Sequence, residues 1–203
     1  CGNPPYLGSK WQNSEQKEDL GQIFDRRIKG WKSLDYVAGW FMKATDYGLN
    51  TPTVSAFVST NSICQGSQVP ILWPQIFETG HEIVFAHASF KWANLASHNA
   101  GVTVVIVGVS NRKSHEKSLY AMSDDGETMV RKSTKLNAYL IPAENTFVAS
   151  VPKPLDDRAI MQFGNHTYYG VDLLLERGEA HELEQQWPAS RKLILDFLGS
   201  KEI

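Results

Sequence analysis

Apolar positions along the chain change their spacing several times, and each change marks an element. Leu34, Val37, Phe41 and Ala44 recur at helical spacing, with Ala38 and Trp40 widening the stripe, so a helix is predicted over residues 33–49. Ser33 is a suitable cap at its start, and Gly48 to Pro52 ends it. Thr53 to Ser59 is apolar with small residues, the pattern of a buried parallel strand. It leads into a polar loop, Thr60 to Gly66, at the strand's carboxyl end, where open α/β sheets bind ligands. Ser67 to Phe77 reads as a second helix that tolerates Pro70 in its first turn. Glu82 to Ala88 and Gly101 to Ser110 read as two further strands. The connection between them is too short for a crossover helix, which predicts that this pair is antiparallel.

The flanking stretches are more polar. In residues 10–32, Lys10, Lys17, Arg26, Arg27, Lys29 and Lys32 alternate with Glu15, Glu18, Asp19 and Asp25. That mixture reads as a solvated, partly ordered excursion with a short helix near Leu20 to Ile28. Its functional alternative is a basic flap beside a phosphate backbone. Residues 111–135 carry Arg112, Lys113, Lys117, Arg131, Lys132 and Lys135, and Asp124-Asp125-Gly126 is a turn signal that predicts a β-hairpin. Strand-like pieces follow at Ala138 to Ile141, Thr146 to Val151 and Ile160 to Phe163, interrupted by Pro142, Pro152 and Pro154. Helical signals return at Glu179 to Gln186 and at Pro188 to Leu198. From Val171 onward seven acidic residues face four basic ones, a poor face for phosphate.

Composition narrows the class. The 203 residues are 42% hydrophobic and 21% charged, which fits a globular protein. The net charge of −2 means that nucleic-acid binding requires a local basic face. Arg112, Lys113, Arg131 and Lys132 are the candidates for one, with Lys10 and Lys91 nearer the candidate pocket. Two cysteines, Cys1 and Cys64, give neither a disulfide framework nor a zinc spacing, and the six histidines show no metal pattern, so no metal site is expected. No apolar run is long enough to span a membrane and no signal peptide is visible, so a cytoplasmic protein is expected.

The chemistry concentrates in Asn3-Pro4-Pro5-Tyr6. The prolines stiffen the backbone and remove two N–H groups, leaving local carbonyls free to accept from a ligand. An amide, a rigid carbonyl and an aromatic ring within one turn suit a flat ring that bears an amino group. Asn3 Oδ1 and the Pro4 carbonyl would accept from the amino group, and Tyr6 would stack on the ring.

This string resembles motif IV of the DNA methyltransferases that modify exocyclic amino groups. The chain as a whole is similar to the large MmeI-type DNA methyltransferases, which are fused restriction–modification enzymes and their defence-system relatives. The similarity is carried by Leu34-Asp35-Tyr36-Val37-Ala38, Phe57 to Ile63 with Gln65-Gly66, Phe90-Lys91-Trp92-Ala93-Asn94 and Val104 to Gly108. Beyond them, Asn137-Ala138-Tyr139-Leu140, Lys153-Pro154-Leu155, Met161-Gln162-Phe163-Gly164 and Phe197-Leu198-Gly199 resemble the start of that family's target recognition domain.

The resemblance implies an α/β fold. Residues 1–111 would be the C-terminal part of a class I, Rossmann-like methyltransferase domain, its sheet ending in an antiparallel strand pair. Residues 112–203 would begin a mostly-β target recognition domain. The implied reaction is methyl transfer from S-adenosylmethionine to adenine N6 in duplex DNA after base flipping, in bacterial restriction–modification or phage defence. In it Asn3 and the Pro4 carbonyl take the adenine amino group, Pro5 stiffens the clamp and Tyr6 covers the base face. Phe90 is expected as a second aromatic contact with Trp92 beside it, and Asn61 and Ser62 border the pocket. Cys64 follows Ile63 rather than a proline, so it is not the thiolate of a cytosine C5 enzyme. The family's main cofactor motifs precede motif IV, and the chain opens at Cys1 inside that motif. The expectation is therefore a piece of a longer protein, inactive alone, with an exposed sheet edge that tends to pair with another chain. The alternatives are a non-catalytic DNA-binding module, or an RNA or protein-glutamine methyltransferase with the same four residues. The recognition-domain resemblance argues against the latter two.

Overall fold

A computed structural model describes residues 1–92, 102–123, 125–151 and 174–195. The chain divides into two units, residues 1–150 and 151–203. In the first, helix α1 spans Ser14–Phe24, α2 spans Ala38–Gly48 and α3 spans Val69–Glu78. Strands β1 (Val54–Thr60), β2 (Glu82–Lys91), β3 (Thr103–Ser110), β4 (Lys117–Met122) and β5 (Thr128–Ser133) form one sheet. Its order is β1-β3-β2-β4-β5. Strand β3 is antiparallel to both β1 and β2, as the short connection predicted for the second pair. Strand β2 runs parallel to β4, and β4 to β5 is the expected hairpin.

One face of the sheet carries the core. Phe57, Val105, Val107, Val109, Ile83 and Ala86 meet Phe41 and Met42 of α2 and Leu72, Trp73 and Ile76 of α3. Phe41 stands edge-on to Phe57 and to Trp73, with centroids 5.1 and 5.8 Å apart. Pro70 lies in the first turn of α3, where a missing N–H costs nothing. On the opposite face, Gly108 sits beneath the Phe85 ring. A Cβ there would lie 2.6 Å from Phe85 Cδ1, so only glycine leaves room.

The polar stretch 10–32 is more ordered than its charge predicts. Helix α1 starts six residues before the expected Leu20, because Asn13 and Gln16 form a reciprocal capping box. Leu20, Phe24, Ile28 and Trp31 are buried at intervals of four, four and three residues beneath the charged surface. Gly39 allows the close approach of α1 and α2: its Cβ would be 3.1 Å from Leu20 and Ile23 side-chain carbons.

Three local expectations need correction. Ser33 does not cap α2. It ends a 3₁₀ turn, Trp31–Ser33, with its hydroxyl donating to the Gly30 carbonyl at 2.7 Å, and α2 begins five residues later at Ala38. Ala138 to Ile141 and Thr146 to Val151 are not strands. Asn137 Oδ1 accepts from Tyr139 and Ile141 N–H at 3.0 and 3.1 Å, and Leu140 takes φ 58°, closing a turn that buries Leu136, Ala138 and Leu140. In the second unit α4 spans Arg177–Gln186, but Pro188–Lys192 is only a 3₁₀ turn. The piece at 160–163 and the end of 188–198 lie outside the described residues.

Candidate active site

The Asn-Pro-Pro-Tyr segment is held at both ends. Upstream, Gly2 makes a parallel bridge to β1 at Phe57: Gly2 N–H donates to the Ala56 carbonyl at 2.9 Å and Val58 N–H to the Gly2 carbonyl at 3.1 Å. Pro4 and Pro5 have no N–H to extend this ladder, so the chain leaves the sheet there. Pro4 is buried, Asn3 and Pro5 are exposed, and Tyr6 is half-buried against the core. Downstream, Leu7 is fixed on both sides of its backbone. Its N–H donates to Asp35 Oδ1 at 2.8 Å, and its carbonyl accepts from Tyr36 N–H at 3.0 Å and Gln12 Nε2 at 2.8 Å.

Asp35 enters the sequence reading only as part of the Leu34-to-Ala38 string, with no role of its own. It is buried, 3% exposed, and has no basic partner among the described residues. Oδ1 also accepts from Val37 N–H at 3.2 Å at the start of α2, and Oδ2 accepts from Thr60 Oγ1 at 3.4 Å. Its own N–H donates to Gln68 Oε1 at 3.0 Å, and Gln68 Nε2 donates to Ser62 Oγ at 3.1 Å. The segment after Tyr6, the start of α2 and the carboxyl end of β1 thus meet at one carboxylate.

Strands β1 and β2 are both antiparallel to β3, so their carboxyl ends share an edge. Thr60 pairs with Val104, and Val104 with Phe90, which puts the three in one row. Two strand spacings separate Thr60 from Phe90, about 10 Å. Phe90 is half-buried, 4.6 Å from His87 and 6.2 Å from Trp92 by ring centroid. Trp92 is tied by its N–H to the Val102 carbonyl at 2.9 Å. Asn61 opens the 3₁₀ turn Asn61–Cys64, and its Nδ2 donates to Gln65 Oε1 at 3.3 Å. That turn is seated by Trp73, whose indole N–H donates to the Ile63 carbonyl at 2.7 Å. Burial pushes the Cys64 thiol well above its usual range, so it carries no thiolate.

The candidate cations fall into separate places. Lys10 and Lys91 are exposed on the elements that carry Tyr6 and Phe90. Arg112 and Lys113 follow Ser110, which pairs with Val54 and Glu82 at the opposite edge of the sheet. They lie about 20 Å from the Thr60 row along the strands. Arg131 and Lys132 sit midway along β5, where Lys132 donates to Glu116 at 2.7 Å, a contact that raises its pKa. The structure therefore gathers Asn3, Pro4, Tyr6, Lys10, Asn61, Phe90, Lys91 and Trp92 at one end of the sheet and leaves the other four cations away from it. Trp11, 77% exposed, stands beside Lys10 on the turn closed by its N–H to the Gly8 carbonyl. Among the described residues no cluster of side chains fits a metal ion, and no helix is long and apolar enough to cross a membrane.

Residues 1–121 match the model of the MmeI DNA-methyltransferase domain, and residues 142–203 that of the MmeI target recognition domain. DNA methyltransferase A of Bacillus subtilis (strain 168) is 41% identical over 201 residues, 99% of this chain and 22% of that protein. The type IIL restriction–modification enzyme MmeI, solved in complex with DNA, superposes with a TM-score of 0.87 at 35% identity, over 100% of this chain and 28% of that one. The chain thus spans about a quarter of the length of these relatives.

Proposed function

The chain belongs to the MmeI family of DNA methyltransferases, and from that premise we propose that it forms the acceptor side of an adenine-N6 methyltransferase site and begins the region that reads the DNA target. The observation that carries this is the shared edge. A stiff amide–carbonyl–aromatic segment leaves β1 beside a row that ends in Phe90.

In this reading adenine leaves the duplex, a few-kcal/mol cost that contacts in the pocket offset. Asn3 Oδ1 and the Pro4 carbonyl accept from its amino group and aim the nitrogen lone pair. Tyr6 and Phe90 cover the ring, with Asn61 and Trp92 at the rim. The gain is positional: two fixed acceptors and a stiff backbone hold the amino nitrogen in a single orientation, and no covalent enzyme intermediate is needed.

S-adenosylmethionine, the methyl source of such enzymes, supplies an electrophilic methyl group. The buried carboxylate at this edge, Asp35, already has both oxygens engaged and is not free to hold it. No glycine-x-glycine string occurs in the chain. No methyl transfer is therefore expected from the 203 residues by themselves. Duplex DNA would be held by Lys10 and Lys91 near the base, and by Arg112, Lys113, Arg131 and Lys132 further out, with affinity falling steeply as salt rises. A role in bacterial restriction–modification, in the cytoplasm, follows from the same reading.

The test is Asn3→Ala in the full-length protein that carries this chain. Tritiated-methyl transfer to duplex DNA should vanish while DNA binding by gel shift is kept. Unchanged methylation would refute the assignment.

A further inference from the structure

Resting on that reading, we propose that Asp35 is a positioning residue for methyl transfer: it fixes the peptide after Tyr6 against the carboxyl end of β1, so that the two walls of the base pocket keep one geometry. The motif is four residues long and carries two prolines, so its internal freedom is small and its anchors decide where it points. The upstream anchor is the Gly2 bridge to β1. The downstream anchor is the Tyr6–Leu7 peptide, whose N–H belongs to Asp35 Oδ1 at 2.8 Å. The other oxygen of the same carboxylate reaches Thr60, in the row of Phe90.

A neutral loop anchor would need fewer acceptors. Here one buried carboxylate accepts from two backbone N–H groups and a hydroxyl, with no cation paired to it among the described residues. The Leu7 bond, at 2.8 Å, has the length of a charge-assisted bond, which is stronger than a neutral one. The start of α2 gains from the same charge, since an anion is favoured at a helix N-terminus. Tyr36, next in sequence, closes the arrangement: its N–H donates to the Leu7 carbonyl and its hydroxyl to Asp19 Oδ2 at 2.7 Å.

The test uses the full-length protein with Asp35→Ala, Asp35→Asn and Asn3→Ala. Single-turnover methylation at saturating DNA measures the chemical step, gel shift measures DNA affinity, and 2-aminopurine at the target position reports base flipping. Asp35→Ala should lower the single-turnover rate about 10- to 100-fold, the size expected for a misplaced reacting group, with DNA affinity within about twofold of the wild type. Asp35→Asn keeps an oxygen for Leu7 and Val37 but presents an amide to Thr60, so it should fold, recover most of the loss and stay about 3- to 10-fold slow. A merely structural role would instead reduce the fraction of folded enzyme and leave the rate per folded molecule unchanged. Wild-type single-turnover rates in Asp35→Asn and in folded Asp35→Ala overturn the proposal. So does a loss matched by an equal fall in DNA affinity. If Asp35→Ala does not fold, the Asp35→Asn rate decides alone. Full activity of Asn3→Ala removes the adenine reading itself and the Asp35 proposal with it. Loss of activity in Asn3→Ala with no kinetic effect at Asp35 removes only the latter.

Discussion

Trp73→Phe isolates the contact that seats the Asn61–Cys64 turn under the candidate pocket. Trp73 is fully buried, its Nε1 donates to the Ile63 carbonyl at 2.7 Å, and its ring meets Phe77 at 5.5 Å. Phenylalanine keeps a ring in place but removes the donor and about three ring atoms. Leaving a buried carbonyl unpaired costs about 1–3 kcal/mol. The lost burial adds about 2 kcal/mol at roughly 0.8 kcal/mol per carbon-sized group. The sum, about 3–5 kcal/mol, is a large share of the 5–15 kcal/mol that typically holds a domain together. With an m-value of about 2 kcal/mol/M, the urea midpoint should fall by about 1.5–2.5 M. The assay is urea unfolding followed by far-UV circular dichroism at pH 7, on wild type, Trp73→Phe and a Phe77→Leu control. The control disturbs the same aromatic cluster without touching the hydrogen bond, and should shift the midpoint by less than half as much. A Trp73→Phe shift below about 0.5 M at unchanged m, roughly 1 kcal/mol, would refute the reasoning.

Other consequences are as direct. Burial lowers the pKa of His81, with Asp46 opposing the shift, so the folded state binds its proton less readily than the unfolded chain does at the usual 6.5. Stability from this group is therefore fully present above pH 6.5 and falls as acid drops below it, and His81→Gln should flatten the slope of stability between pH 6.5 and 5; matching slopes would count against it. Gly108→Ala should destabilise by about 1–3 kcal/mol through the Phe85 ring, and adding Phe85→Ala should recover part of that loss. Purely additive effects in the double variant would show that the ring is not the obstacle. Phe90→Ala should cut the flipped population of a 2-aminopurine target about 5- to 150-fold, the equivalent of one lost base–aromatic stack of about 1–3 kcal/mol. An unchanged fluorescence signal would remove Phe90 from the pocket.

How much of this was legible depends on whether the signal was local. The five strands of the sheet, α3 with Pro70 in its first turn and the hairpin signalled by Asp124-Asp125-Gly126 each follow from residues next to one another. The start of helix α1 was missed because only Leu20 and Phe24 of the helix are buried under its charged surface, although Asn13 and Gln16 stand at capping-box spacing and would have marked it. Residues 138–141 are a short apolar run like a strand, yet the Asn137 side chain takes the backbone N–H groups that a strand would offer to a neighbour. The Asn-Pro-Pro-Tyr string was legible because its chemistry lies within four adjacent residues. Asp35 was not, because its partners Leu7 and Thr60 are 28 and 25 positions away and nothing near it in sequence names them.

Strand order was illegible for the same reason, and it sets the size of the site. Chain order alone would put β2 beside β1, leaving about 5 Å between Thr60 and Phe90. Insertion of β3 between them, fixed by its double antiparallel pairing, doubles that spacing to about 10 Å. Val104 of β3 fills the position between them and is fully buried. The proline-stiffened segment borders this row from the β1 side, held at Leu7 by the same carboxylate that reaches Thr60. The row therefore has the Phe90 ring at its far end and the proline-stiffened segment at its near one. That is why the adenine reading draws on the strand order as much as on the four residues of the motif.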